Sequence, residues 1–293
     1  MSRILTASEI RAWKSCPMKW WFRYDQLLVP KKPLNALSYG SLVHEGLEAL
    51  YRGEDWRIAV GRFVRERVTP WNRKETAYVV AQAIAILNAY SEREPATTMG
   101  HKVHSVEREF YVRLVSPAGR RFSRYVLAGK RDLATADEYG NVYLWDHKTG
   151  SKEIDPEWIQ IDDQMSYYLW ADAQDGIPAS HLMYNLLRKP QIKPRQKETP
   201  REWGERLAQD IESRPDFYFQ RAIVVKTAID IEDIGRELWD IAHAIDCAPI
   251  VRNPHNCTVF GCAYRSLCRR DSMITRQAEF MEERVHAELQ EVV

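Results

Sequence analysis

Trp145-Asp146-His147-Lys148-Thr149-Gly150 ends a stretch that reads as a β-strand from Val142, and Gly129-Lys130-Arg131-Asp132 lies inside the strand pattern before it. Side chains alternate along a strand, so Asp146 and Lys148 share one face and His147 takes the other. A carboxylate and an ammonium placed this way can hold a divalent cation and a water molecule side by side. Asp132, fourteen residues earlier on the neighbouring strand, is placed by cross-strand pairing to bring a second carboxylate to the same ion. A lone D-x-K also describes an ordinary strand-edge ion pair, so the rest of the chain decides between the two.

Working outward, Val106, Arg108, Phe110, Val112 and Leu114 alternate from about Val103, Pro117-Ala118-Gly119 reads as a turn, and Phe122 to Ala136 reads as a second strand. With the turn at Asp137 to Asn141, these predict an antiparallel meander. The first third is helical in pattern. Thr6 or Ser8 can cap a helix through Ile10, Trp13 and Lys14, with Glu9 in its first turn. Leu37 to Tyr51 carries Leu42, Val43, Leu47 and Leu50 at helical spacing, and Lys74 to Tyr90 forms another helix before Pro95 and Gly100. Beyond the meander, a helix is expected from Glu157 to Asp175, strands at His181 to Leu187 and Phe217 to Val225, and a helix from Ile231 to Cys247. The polar interval 188–214 lacks clear periodicity before Trp203 and predicts an inserted basic surface excursion.

The 293 residues carry 42 Lys and Arg against 41 Asp and Glu, a formal charge of +1, which excludes any function resting on bulk basicity. Contacts with nucleic acid must therefore be local. A 45% hydrophobic content with 10 Trp and 14 Tyr excludes global disorder. The longest mostly apolar stretch, Ala77 to Leu87, falls short of the ~20 residues that cross a bilayer, so no membrane span is expected. The start, MSRILTASEIRAWKSC, has no apolar segment of secretory type. A cytoplasmic location is the expectation, and in a reducing compartment clustered cysteines bind metal more often than they pair.

Two helical patterns complete the set. Gly40-Ser41-Leu42-Val43-His44-Glu45-Gly46-Leu47-Glu48 places His44 and Glu48 on one helical face, and Gln164-Met165-Ser166-Tyr167-Tyr168 does the same for Gln164 and Tyr168. Either pair alone also fits an ordinary helix face. In this order, G-x3-H-x3-E, G-x-x-D, D-x-K-T-G and Q-x3-Y resemble the RecB-type nucleases of the PD-(D/E)XK superfamily, over about Thr6 to Cys268. The resemblance implies an α/β, restriction-endonuclease-like fold with a mixed sheet flanked by helices. It divides the chain into a helical N-terminal region 1–100, a nuclease core 101–228 and a C-terminal helix with an iron–sulfur segment 229–293.

By the same resemblance, Asp132 and Asp146 would be Mg2+ or Mn2+ ligands, joined by His44 and the backbone carbonyl of His147. Lys148 would orient or deprotonate the attacking water, Gln164 and Tyr168 would position Lys148 and the phosphate, and Glu48 would serve in the outer shell. One acid of Glu107-Arg108-Glu109 also faces the site, and parity does not choose between them. Resembling nucleases with a 4Fe-4S cluster use one N-terminal cysteine in a C-P-x-x-(W/F) setting and three C-terminal ones. Here Cys16-Pro17-Met18-Lys19-Trp20 and Cys257-x4-Cys262-x5-Cys268 correspond, although better-known members have two residues where this chain has four. A zinc site is the alternative for four thiolates. Cys247 is expected to be a buried thiol on its helix.

The implied substrate is DNA, single-stranded or with free ends, cut by an exonuclease or end-processing nuclease in recombination, repair or phage DNA metabolism. A trimming subunit that needs a recombination or CRISPR-type protein partner is the first alternative, and a DNA-binding module without catalysis the second. The resemblance fixes neither cleavage polarity nor oligomeric state. Local basic groups would meet the phosphates: Lys14, Lys19, Arg23, Lys31 and Lys32 interleaved with Trp13, Trp20, Trp21, Phe22 and Tyr24; Arg188, Lys189, Lys193, Arg195, Lys197 and Arg201; and Arg265, Arg269 and Arg270 around Cys268. The same aromatics would equally serve as core.

Overall fold

Strand β4 organises the molecule, because three other strands pair with it. In the computed structural model, which describes residues 2–31, 38–68, 73–93, 100–119, 122–177, 179–259, 261–269 and 280–282, the order begins β1 (Arg3–Leu5), α1 (Ala7–Ser15), α2 (Pro17–Trp20), a π-helical turn (Trp21–Asp25) and β2 (Leu28–Pro30). It continues α3 (Tyr39–Tyr51), α4 (Trp56–Arg67), α5 (Arg73–Arg93), β3 (Lys102–Val115), β4 (Phe122–Ala136), β5 (Val142–Gly150), α6 (Pro156–Gln160), α7 (Asp163–Gln174) and β6 (Ala179–Arg188). Then follow α8 (Pro200–Ser213), α9 (Pro215–Tyr218), β7 (Phe219–Val225), α10 (Ala228–Cys247), α11 (His255–Val259), α12 (Arg265–Cys268) and β8 (Phe280–Glu282). Lys32, Leu37, Pro95 and Arg270 lie outside the described residues.

The expected meander forms, with β3 and β5 both antiparallel to β4. β6 joins β5 in parallel and β7 closes the mixed sheet antiparallel to β6. β3 occupies one edge of β4 along its length, so β1 and β5 share the other. β1 pairs in parallel with Tyr125 to Leu127, and β5 pairs with Leu133 to Ala136. Residues 128–132 of that edge, between the two partners, form the crotch of a fork.

Helices cover both faces. On one side α3, α4, α5 and α8 pack Leu42, Leu47, Ile86 and Leu207 against Leu133, Trp145, Met183 and Leu187. On the other, α1, α7 and α10 bury Ile10, Trp170 and Leu238 with Phe110, Val112, Tyr125 and Leu127. Burying each such large apolar side chain contributes about 1.5–3 kcal/mol. Thr6 is the cap of α1, its Oγ1 accepting the Glu9 N–H at 3.2 Å. Buried Glu9 then accepts from Arg3 and, at 2.9 Å, from Trp20 Nε1.

Several expectations are corrected. The first hundred residues are not purely helical, since β1 is built into the sheet. The interval 188–214 is an excursion only in its first half. From Pro200 it is helix α8, with a Thr199 capping box and Trp203, Leu207 and Ile211 buried at four-residue spacing. The helix expected from Glu157 to Asp175 is two helices, because buried Asp162 leaves the helical conformation to cap α7 through the Met165 N–H at 3.1 Å. Cys247 is exposed, because the stripe that α10 buries consists of Ile234, Leu238, Ile241, Ala242 and Ile245.

Candidate metal centre at a fork in the sheet

Asp132 stands in the crotch, one residue before the last β4–β5 pair, Leu133 with Trp145. Where pairing stops, a side chain takes over from the ladder: the His147 backbone N–H donates to Asp132 Oδ2 at 2.8 Å. His44 on α3 stands beside them, its Nδ1 3.8 Å from Asp132 Oδ2. Glu107 reaches the same point from β3. Donor atoms of His44, Glu107 and Asp132 lie within 4.8 Å of one another, which makes them, among the described residues, a group able to hold a metal ion.

Glu107 is the acid that parity left undecided. Its φ is +51°, in the left-handed region that a β-strand residue enters only at a cost of about 1–3 kcal/mol. Across this residue the strand changes face: Val106 packs with the core under α3 and α5, whereas Phe110 packs with that under α10. Glu107 is held by Lys130 at 2.5 Å, while Glu109 accepts from Tyr111 at 2.8 Å. Glu48 turns to Arg52 on its own helix, at 2.6 Å, so the carboxylate beside His44 is Asp132.

The D-x-K pair forms as alternation requires. Lys148 Nζ lies 2.9 and 2.7 Å from the two oxygens of buried Asp146 and 3.2 Å from Gln164 Oε1. Gln164 Nε2 donates to Tyr168 OH at 3.2 Å. Two features place α7 for this. Arg131 is buried in an ion pair with Asp172 and lies over the Phe110 ring at 4.4 Å. Gly129 allows Tyr168 to approach β4, because a Cβ there would sit 2.8 Å from Phe110 and 2.9 Å from Tyr168. Gly40 acts similarly for α3, where a Cβ would meet Thr149 Oγ1 at 2.9 Å. Both motif glycines are thus close-approach positions.

Charge in the fork is poised for a cation. Burial, then the Asp146 charge, pushes Asp132 up to about 8, and burial raises Asp146 against the opposing pull of Lys148. Burial lowers His44, which leaves its imidazole a neutral donor at neutral pH, and burial likewise holds His147 well below the ordinary histidine range on the other face of β5, stacked on Tyr51. Carboxylates crowded against their own ionisation, with a neutral imidazole beside them, fit a hard divalent cation that accepts mixed oxygen and nitrogen ligands.

Residues 4–269 match the family model of the PD-(D/E)XK nuclease superfamily. The chain belongs to that superfamily. Its members hydrolyse phosphodiester bonds with divalent metals such as Mg2+, so the substrate of this PD-(D/E)XK protein is nucleic acid. No curated protein matches the chain. Among solved structures, one described as "Crystal structure of SSO0001" is similar at 13% identity over 83% of this chain and 89% of that one, with a TM-score of 0.32, a likeness too loose to build on. No helix among the described residues is long and apolar enough to cross a membrane.

Away from the fork of this superfamily member, Cys16, Cys257, Cys262 and Cys268 line one cavity of about 1070 Å3. Burial, then its neighbours Cys262, Cys16 and Cys257, raises the Cys268 thiol. Asn253 ties the ends together, its N–H donating to Cys16 Sγ at 3.3 Å and its carbonyl accepting from Cys257 Sγ at 3.7 Å. Lys19, Arg23 and Arg269 border the same cavity. Two expected DNA contacts are corrected. Trp20 is 3% exposed, edge-on to Trp13 at 5.1 Å and bonded to Glu9, so it is core. Lys14 is neutralised by Asp163, at 3.0 Å, and Glu237, stapling α1 to α7 and α10. Lys189 is exposed, with its Nζ 5.6 Å from the Tyr39 ring.

Proposed function

We propose that the chain is a RecB-like exodeoxyribonuclease that acts on single-stranded DNA or DNA ends, with Asp132, Asp146, His44 and the His147 carbonyl as metal ligands and Glu107 added to them. The observation that carries this reading is the hydrogen-bonded run Asp146, Lys148, Gln164, Tyr168 beside the His44, Glu107 and Asp132 group. A divalent ion bound there supplies charge neutralisation to the phosphate and acidifies a water. Lys148, fixed between Asp146 and Gln164, orients the attacking water and offers positive charge where negative charge develops. Gln164 and Tyr168 hold that ammonium in place from α7, and Glu48 with Arg52 forms the rim.

The same proposal gives Cys16, Cys257, Cys262 and Cys268 a 4Fe-4S cluster. The four cysteines line one cavity, and the reading of a cluster rather than zinc rests on the likeness of the Cys16-Pro17-Met18-Lys19-Trp20 and Cys257 to Cys268 settings to those of iron–sulfur nucleases. The cluster clamps the 1–100 region to the 229–293 segment around the 101–228 core. Lys19, Arg23, Lys189 and Arg269 are the residual DNA contacts.

The deciding experiment incubates end-labelled single-stranded and duplex DNA with Mg2+ or Mn2+, comparing the wild type with Asp146→Ala. Metal-dependent shortening from an end, absent in the variant, supports the reading. Cleavage that survives in Asp146→Ala, or internal cuts only, overturns it.

A further inference from the structure

We infer that the cavity beside Lys148, walled by Trp158 and Tyr184, is a subsite for one unpaired nucleobase next to the phosphate that is cut. This deepens the nuclease reading and rests on it. The cavity, of about 530 Å3, begins at Lys148 and continues along the chain after β5 to α6, with Tyr184 and Leu186 contributed by β6. That volume lies within the ~300–1,000 Å3 of small-molecule sites. Tyr184 is the β6 partner of Asp146 in register, so its side chain neighbours the metal-facing carboxylate. Trp158 stands edge-on to it, with ring centroids 6.4 Å apart and planes at 79°.

Exposure singles Trp158 out. It is 46% exposed, whereas Trp13, Trp20, Trp145, Trp170 and Trp203 are all buried. An indole left half in water within reach of the proposed scissile phosphate offers a stacking face to a base, a contact that tolerates any base identity. The lining also carries Lys152 and two acids, Glu153 and Asp155. Both are committed: Asp155 Oδ1 accepts the N–H groups of Glu157 and Trp158 at 3.0 and 3.2 Å, and Glu153 binds Arg188 at 2.8 Å. Lys148 is the cation beside the metal-facing Asp146, so a phosphate held there leaves its base to enter the cavity along Trp158 and Tyr184. A paired base cannot enter without leaving its duplex, which makes the subsite a selector for single strands and frayed ends.

The test measures KM for Mg2+- or Mn2+-dependent cleavage of single-stranded oligonucleotides carrying one abasic nucleotide, placed in turn at each position flanking the cleaved bond. In the wild type, one of these positions should raise KM at least about fivefold, the low end of what one base–aromatic stack contributes. Trp158→Ala should raise KM on the intact oligonucleotide by the same factor and suffer no further loss from the abasic position. Trp158→Phe, which keeps a stacking face, should recover most of it and controls for folding. Multiplying penalties, or an unchanged KM in Trp158→Ala alongside intact cleavage, would overturn the subsite alone. A wild type that cleaves none of these substrates would overturn the nuclease reading and the subsite with it.

Discussion

The fork and the cysteine cavity are both proposed metal sites, and they are built in opposite ways. In the fork, the proposed ligands stand on long strands locked in register and, for His44, on helix α3, and the groups around them are already bonded: His147 to Asp132, Lys148 to Asp146, Gln164 to Tyr168. The cavity is edged by the short helices α2, α11 and α12, of four or five residues each, and by chain segments about as far apart in sequence as Cys16 and Cys268. A site preformed by a sheet can lose its ion and keep its shape. One assembled largely from short pieces far apart in sequence would depend on its metal for closure, and metal bound there would add directly to folding stability.

Removing either side of this contrast should have a distinct signature. Lys148→Ala should cut hydrolysis about 100-fold or more while thermal unfolding stays within a few degrees of wild type. A matching fall in the melting temperature would mean that the fork is less self-supporting than described. If the proposed 4Fe-4S cluster is bound, Cys16→Ser should instead bleach its visible absorption and lower stability by several kcal/mol, as loss of a long-range cross-link does, measured by denaturant titration. Equal stability with and without Cys16 would remove the clamp from the account.

Smaller effects sharpen the fork itself. Asp132 has its folded pKa raised to about 8, above its unfolded value near 3.8, so its contribution is fully present below the unfolded value and is lost as pH rises through the folded one. Metal-stripped protein should melt lower at pH 9 than at pH 6, and Asp132→Asn should flatten that difference. Gly129→Ala should cost about 1–3 kcal/mol by overpacking and lower the rate, because the new Cβ pushes on Phe110 and Tyr168. Least of all, Cys247→Ser should leave stability within about 0.5 kcal/mol and the cluster unchanged, since this exposed thiol meets His243 Nδ1 at 3.9 Å.

What could be read from the residues follows from how local each feature is. The β3–β5 meander and the shared face of Asp146 and Lys148 were legible because alternation is a nearest-neighbour rule. The group linking Gln164 to Tyr168 was legible from four-residue spacing. β1 was not, because three residues carry no period and its partner lies near Tyr125. Glu107 could not be told from Glu109 because residues two apart share a face under alternation, and the left-handed backbone at Glu107 that separates them leaves no mark in the local pattern. Cys247 was misplaced through its apolar neighbours: Ile241, Ala242 and Ile245 mark the buried stripe, and two residues beyond Ile245 the helix has turned its side chain outward. Trp20 and Lys14 show the same limit for composition, since an aromatic and a cation side by side describe a core anchor and an ion-pair staple as well as they describe a DNA contact.

The parallel pairing of β1 with Tyr125 to Leu127 also orders events in time. During synthesis the first strand must wait until about 120 further residues have emerged before it gains a partner, and contacts of such long sequence separation form slowly. Cys16 waits longer still, for Cys257 to Cys268. Every strand of the six-stranded sheet is therefore made before Cys257, so the ladder that frames the fork can form before the cysteine site has all its parts.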